Sequence, residues 1–237
     1  MKKHISILFR IFGYYALYLL LVNVSLFVIL LVLHFTGITN VPEVTGEFIS
    51  DVAAIPFLIL FFHLYSKERR AQLFSQKLSI NKLLRLIPIS IAARLAVVAV
   101  MAVLVGLLIL FFGKDIGNII DQGVAFQWTG FDHAKGWDKL FGFLSFVIFG
   151  PINEEILNRA VILEYLRKHY SDTISIVYSS VIFMFAHLHP GLYASSFILG
   201  VCLALVYVKW KNIWYAVILH MLINLQPFLF AYFIDKI

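Results

Sequence analysis

Charged residues are scarce in this chain of 237 residues, because they make up only 14% of it, whereas soluble domains average about 25%. Hydrophobic residues make up 62%, and the mean hydropathy is +0.92. This composition excludes an ordinary soluble globular protein. It predicts an all-α fold, a polytopic membrane helical bundle in which each segment satisfies its own backbone hydrogen bonds.

Cysteine is almost absent, with Cys202 as the one example. A single thiol excludes an intrachain disulfide framework and a cysteine-rich metal site. The helical HExxH pattern of soluble zinc proteases is missing as well. Internal repeats and low-complexity segments are also missing, so we expect one membrane domain over residues 1–237.

The formal net charge of +6 raises the question of nucleic-acid binding. The basic residues fall mainly in short clusters between apolar runs, which is the pattern that sets membrane topology. We therefore expect membrane lipid as a partner and no nucleic acid. No obligate protein partner is evident from the sequence.

Apolar runs near the roughly 20 residues that span a bilayer predict about seven transmembrane helices. They cover residues 11–35, 48–65, 86–112, 139–166, 173–187, 193–208 and 213–233. An amphipathic surface helix is expected over 66–85, and a long polar loop over 113–138. The basic clusters then fall on one face, which predicts a multi-pass protein of the cell membrane with a cytoplasmic N-terminus and an external C-terminus.

The acidic stretch 150–159 is unusual at membrane depth, where each charge costs about 2.5–3.5 kcal/mol on insertion scales. In a helix, residues four apart share a face, so the spacing predicts an ion pair between Glu155 and Arg159. Glu154 is left without a local cation. Gly150 and Pro151 predict a break in the helix.

The polar residues of the later spans that could take part in catalysis include His187, His220 and Asn224. Counting the helical rise places them at depths similar to that of Glu154, so all four can face one cavity. Two chemistries stay open. Glu154 and a histidine could activate water while the other groups stabilise an oxyanion, or Glu154, His187 and His220 could ligate zinc.

The order and spacing of these motifs resemble the CPBP family, which comprises the type II CAAX prenyl endopeptidases and the bacterial Abi proteins of bacteriocin processing and immunity. The motifs read Glu154-Glu155-Ile156-Leu157-Asn158-Arg159, Phe183-Met184-Phe185-Ala186-His187 and His220-Met221-Leu222-Ile223-Asn224. The resemblance covers about residues 140–230, which would form the catalytic core. One departure is that the family often has an aromatic residue before the arginine and a glycine after it, where this chain has Asn158 and Ala160.

The resemblance implies an intramembrane endopeptidase that acts on a membrane-associated or lipidated peptide. Glu154 would activate water with help from His187, while His220 and Asn224 would form the oxyanion hole. Glu155 and Arg159 would support the site. The family is commonly described as metalloproteases, and a metal-free glutamate mechanism is also argued for it. The small size fits the bacterial Abi branch, so bacteriocin self-immunity or peptide maturation is the implied role.

Two other classes of function compete with the protease. Glutamate and histidine chains relay protons in transporters, although these polar residues cluster and do not line a path. A non-catalytic immunity or scaffold protein would instead bind a partner through its spans. Isolated polar residues near the predicted ends of spans, Asp51 and Arg94 among them, are interpreted as interfacial, and Asn153 as a helix cap.

Overall fold

The computed structural model describes residues 2–37, 41–64, 71, 73, 76–113, 135–187 and 190–234. Seven long helices and no strand occur in these ranges. They are α1 (Lys2–Phe35), α2 (Glu43–Leu64), α3 (Ile80–Phe112), α4 (Trp137–Arg167), α5 (Asp172–Ala186), α6 (Tyr193–Trp210) and α7 (Ile213–Ile234). The predicted helical membrane bundle is confirmed. Residues 114–134 of the predicted polar loop (113–138) and residues 66–70, 72, 74 and 75 of the predicted amphipathic segment lie outside the described residues. Residues 80–85 of that segment belong to α3.

Five of the described helices are long and apolar enough to cross a membrane, namely α1, α3, α4, α6 and α7. Helix α5 is apolar but has only 15 residues. Helices α1 and α3 expose most of their apolar side chains, as expected for surfaces that face lipid. The number of membrane crossings stays a prediction.

Helix α4 lies at the centre of the bundle and packs against α2, α5 and α7. Its apolar side chains enter two of the buried clusters: one with α5, α6 and α7, and one with Ile7 and Ile11 of α1. A third cluster joins α3, α6 and α7 around Leu86 and Tyr215. The helix that carries the acidic stretch is therefore held from several directions.

The basic segments meet at one end of the bundle. Asn212 Nδ2 donates to Gln76 O at 2.6 Å, and Ser79 N donates to Tyr215 Oη at 2.8 Å, so α3 and α7 start side by side. Tyr207 Oη donates to Glu164 Oε1 at 2.9 Å, which brings the ends of α4 and α6 to the same place. This arrangement agrees with the clustering expected from the positive-inside pattern.

The predicted break at Gly150 and Pro151 is wrong, because α4 continues through it. Residues Ser145–Phe149 form a π-helical turn, and the Gly150 N–H bonds to Ser145 O, five residues earlier. A Cβ on Gly150 would lie 3.0 Å from that oxygen, so the close approach requires glycine. The wider turn accommodates the proline ring, which in an α-helix clashes with the carbonyl four residues before it.

A second proline explains the contacts of Arg94, which the sequence analysis interprets as interfacial. Pro227 lies inside α7 and has no N–H to give to the carbonyl of Ile223, four residues earlier. Arg94 of α3 donates to that oxygen from Nη2 at 2.7 Å, and its Nε bonds to Gln226 Oε1 at 3.2 Å. Gln226 Nε2 in turn bonds to Ser90 Oγ at 3.0 Å. The guanidinium thus joins α3 to α7 at the proline.

Candidate active site

The two glutamates of the acidic motif lie between two π-helical segments of α4. Residues Gly150–Glu155 are α-helical, Ser145–Phe149 precede them as one π turn, and Ile156–Leu163 follow as another. Such segments are rare and occur frequently at functional sites, because the extra residue per turn redirects side chains and backbone carbonyls. Glu154 and Glu155 therefore lie on a short α-helical section, and the π segment on either side of it rotates the neighbouring side chains about the helix axis.

Glu155 and Arg159 form the predicted ion pair. Arg159 Nε lies 2.8 Å from Glu155 Oε2, and both side chains are 0% exposed. His220 of α7 joins them, with Nδ1 3.2 Å from Glu155 Oε1. A buried pair of this kind is strongly destabilised by removing one partner, since the other charge is then left uncompensated. The three residues tie α7 to α4.

Phe183 of α5 is the centre of an aromatic contact set. Its ring centroid lies 4.8 Å from that of His187 and 6.0 Å from that of His220, and the Arg159 guanidinium carbon lies 5.4 Å from it. A Cβ on Gly200 of α6 would come within 3.3 Å of this ring. Phe183 therefore packs in the interior, as predicted, and its ring also lies between the rings of His187 and His220.

His187 follows the last turn of α5 and is half-buried. Its Nδ1 lies 2.9 Å from the carbonyl oxygen of Phe183. A carbonyl only accepts hydrogen bonds, so Nδ1 carries the hydrogen in this geometry and Nε2 carries a lone pair. His187 is therefore oriented as a base or as a ligand through Nε2.

Glu154 is half-buried, and its Oε2 atom is enclosed without a hydrogen-bond partner among the residues that the structure describes. Sequence reasoning expected Glu154 to face both histidines, yet the Nδ1 atom of His220 bonds to Glu155. That leaves Glu154 as the carboxylate of the motif without an ion-pair partner in the described part of the chain. An enclosed carboxylate oxygen of this kind calls for a donor from water or substrate.

Asn224 lies one helical turn beyond His220 on α7, and its Nδ2 donates to Phe146 O at 2.9 Å. Phe146 belongs to the first π turn of α4. One N–H of the amide is used by this bond, and the other is available to a substrate oxygen. The π turn thus fixes the amide that the resemblance assigns to the oxyanion hole.

Two further contacts at the motif come from helices that sequence reasoning left out. Asp51 of α2 accepts hydrogen bonds from Ser145 Oγ and from Asn153 Nδ2, the latter at 3.1 Å. Asp51 therefore contacts α4, which the interfacial interpretation did not predict, and Asn153 is a helix-interior residue and not a cap. Tyr15 of α1 donates to Asn158 Oδ1 at 2.7 Å. A carboxylate in an apolar span was the signal that could have identified Asp51.

No group of three or more His, Cys, Asp or Glu side chains in the described ranges is arranged to hold a metal ion. The set predicted for zinc, Glu154, His187 and His220, is not gathered into such a cluster. His220 has Nδ1 against Glu155, and His187 has Nδ1 against a backbone carbonyl.

Comparison with protein families identifies a match in the second half of the chain. Residues 136–226 match the model of the family described as Type II CAAX prenyl endopeptidase Rce1-like. No curated protein matched the chain, and no solved structure did. The matched segment begins at the start of α4 and ends within α7, so it contains every residue of the three motifs. The resemblance to the CPBP family is confirmed.

Proposed function

We propose, from the Rce1-like character of residues 136–226, that this chain is an intramembrane endopeptidase that hydrolyses a peptide bond in a membrane-associated or lipidated peptide. The observation that carries the proposal is Glu154 Oε2, a carboxylate oxygen enclosed at the motif without a protein partner in the described ranges. A water molecule bound there would be polarised by the carboxylate. Both oxygens of a purely structural carboxylate would instead accept hydrogen bonds from the protein, as those of Glu155 do.

In the first step, Glu154 takes a proton from the bound water, and the oxygen of that water forms a bond with the scissile carbonyl carbon. The lone pair on His187 Nε2 offers a second acceptor for the proton. The carbonyl oxygen becomes an oxyanion. The carbon–nitrogen bond then breaks, and the proton held by Glu154 or His187 passes to the leaving amine.

His220 and Asn224 stabilise the oxyanion in this proposal. Glu155 holds His220 Nδ1, so the opposite nitrogen, Nε2, points away from the ion pair. When His220 is protonated, Nε2 donates a hydrogen bond and the neighbouring Glu155 carboxylate stabilises the imidazolium. Asn224 supplies its second amide N–H. Hydrogen-bond donors that are held in place in a site without bulk water lower the activation barrier, because they stabilise the negative charge that develops on the oxyanion.

Zinc remains a hypothesis for Glu154, His187 and His220, and zinc would supply a bound water of lowered pKa if it were present. The contacts of both histidines through Nδ1 leave each Nε2 as the only nitrogen that could ligate it. Metal analysis of the purified protein tests this, together with activity before and after a chelator and after zinc is added back.

The cellular role that we propose is peptide maturation or self-immunity against a bacteriocin in a bacterial cell membrane. The basic end of the bundle would face the cytoplasm, with the N-terminus inside and the C-terminus outside. Tagging each terminus and measuring its accessibility in intact cells tests this orientation.

The decisive experiment measures cleavage of membrane-anchored peptides, prenylated and unprenylated, by the purified protein in lipid nanodiscs, with products identified by mass spectrometry. Glu154→Gln and His187→Ala should remain folded and lose cleavage. Glu164→Gln is the matched control, because Glu164 also lies on α4 but bonds to Arg167 and Tyr207 at the basic end. Full cleavage by Glu154→Gln would contradict the proposal and favour a scaffold or a proton transporter.

A further inference from the structure

Helix α1 precedes the segment that matches the family, and most of its apolar side chains are exposed. Its Tyr15 nevertheless contacts the acidic motif. We propose that Tyr15 is a positioning residue of the active site, which fixes the turn that carries Glu154 by acting through Asn158. This inference rests on the proposed function of Glu154.

The contact is a chain of two hydrogen bonds. Tyr15 Oη donates to Asn158 Oδ1 at 2.7 Å, and Asn158 Nδ2 donates to the backbone oxygen of Glu154 at 2.8 Å. Asn158 is 2% exposed, so water does not compete for its amide. Because the oxygen and the nitrogen are both engaged, the amide plane is fixed and the phenol determines its orientation.

The turn needs this support because the helix changes type immediately after Glu154 and Glu155. The π segment starts at Ile156, and the pairing of carbonyls with N–H groups shifts there from four residues to five. The side chain of Asn158 gives the carbonyl of Glu154 a donor at this junction. It therefore stabilises the backbone where the pairing changes.

The side chain of Glu154 makes this backbone support important for catalysis. Its Oε2 has no hydrogen-bond partner among the described residues. The position of that oxygen therefore depends on the backbone turn and less on side-chain bonds. A shift of about 1 Å in a catalytic group can cost about 100-fold in rate, so a small loosening of the turn is measurable.

The neighbouring tyrosine of α1 provides a matched control. Tyr14 packs its ring edge-on against Tyr165, with ring centroids 5.9 Å apart, in the same apolar cluster. Tyr14→Phe keeps this ring contact, whereas Tyr15→Phe removes the hydroxyl that holds Asn158. Both variants keep the apolar area that attaches α1 to α4.

The test is peptide cleavage in nanodiscs by these two variants, by Asn158→Ala and by the double variant. We expect Tyr15→Phe to lower kcat by about three- to tenfold, which corresponds to one hydrogen bond, with KM unchanged. Tyr14→Phe should match the wild type. In the Asn158→Ala background, Tyr15→Phe should have no further effect on kcat. An undiminished effect there, or an effect on KM alone, would overturn the inference.

A second measurement does not depend on enzyme activity. In a Cys202→Ser background, Glu154→Cys carries the only thiol, and its rate of reaction with a thiol reagent reports on the freedom of the turn. Adding Tyr15→Phe should raise that rate severalfold, while Tyr14→Phe should leave it unchanged. Equal rates would refute the positioning role even if the protein cleaves peptides. If Tyr15→Phe raises the reaction rate of the thiol but the wild-type protein cleaves no peptide, the positioning role is upheld and the proposed function is refuted.

Discussion

The bond from Arg94 to the carbonyl of Ile223 leads to a prediction that can be tested by pairing two substitutions. Arg94→Ala removes the donor and leaves a carbonyl at membrane depth without a partner. Leaving such a group unsatisfied costs about 1–3 kcal/mol, and hydrogen bonds between membrane helices are measured toward the lower end of that range. We expect Arg94→Ala to lower the free energy of unfolding by about 1–2 kcal/mol.

Pro227→Ala provides the second half of the test. Alanine at this position has the N–H that proline lacks, and that N–H can bond to the same carbonyl within α7. Once the carbonyl has its own helical donor, losing Arg94 should cost less. The two substitutions together should therefore be less destabilising than the sum of the single ones, by about 0.5–1 kcal/mol, a coupling of the size found between residues in contact.

The measurement is the equilibrium between folded and unfolded protein in mixed micelles, followed by circular dichroism as denaturing detergent is added. Arg85→Ala is the control, because Arg85 lies on the same helix and is exposed. It should change the free energy of unfolding by less than about 0.5 kcal/mol. Additive effects of Arg94→Ala and Pro227→Ala would show that Arg94 does not serve the carbonyl freed by the proline.

Two more substitutions separate packing from charge at the site. Gly200→Ala places a Cβ 3.3 Å from the Phe183 ring and 3.1 Å from a backbone atom of α5. Thermal unfolding should therefore show a stability lower by about 1–3 kcal/mol. Peptide cleavage should also fall, because Phe183 lies between the two histidines. Glu155→Gln leaves Arg159 buried without a counter-ion, so the folded yield after detergent extraction should fall in line with a loss of about 3–5 kcal/mol. Glu154→Gln should keep the folded yield, and equal yields for the two glutamine variants would contradict the distinction between the carboxylates.

The sequence was sufficient for features that depend on local geometry. Apolar runs of bilayer length predicted the helices, and most of the predicted bounds lie within a few residues of the observed ones. The ion pair of Glu155 and Arg159 was predictable because four residues form about one helical turn. The grouping of the basic segments at one end followed from topology alone.

Contacts between distant helices could not be predicted in the same way. His220 lies 65 residues from Glu155, and nothing in either local pattern indicates which of two adjacent carboxylates it bonds to. Asn158 looked like a mere departure from the family pattern until Tyr15 was found beside it. The contacts of Asp51 with α4 were not predicted, because a single carboxylate near a predicted span end is usually interfacial. Pro227 could have indicated this contact from the sequence, because a proline in a helix leaves the carbonyl four residues earlier, that of Ile223, without its helical donor. Arg94 donates to that carbonyl.

The two π-helical segments of α4 also change how its sequence has to be aligned with others. A π turn holds one residue more than an α turn, so it is equivalent to a single-residue insertion that rotates everything after it by about 100°. Glu154 and Glu155 lie between two such shifts. Deleting one residue from Ser145–Phe149 should therefore turn Glu155 away from His220 of α7 while leaving a continuous helix. An alignment that assumes a regular 3.6-residue period along α4 would therefore pair its residues with residues on a different face of the compared helix.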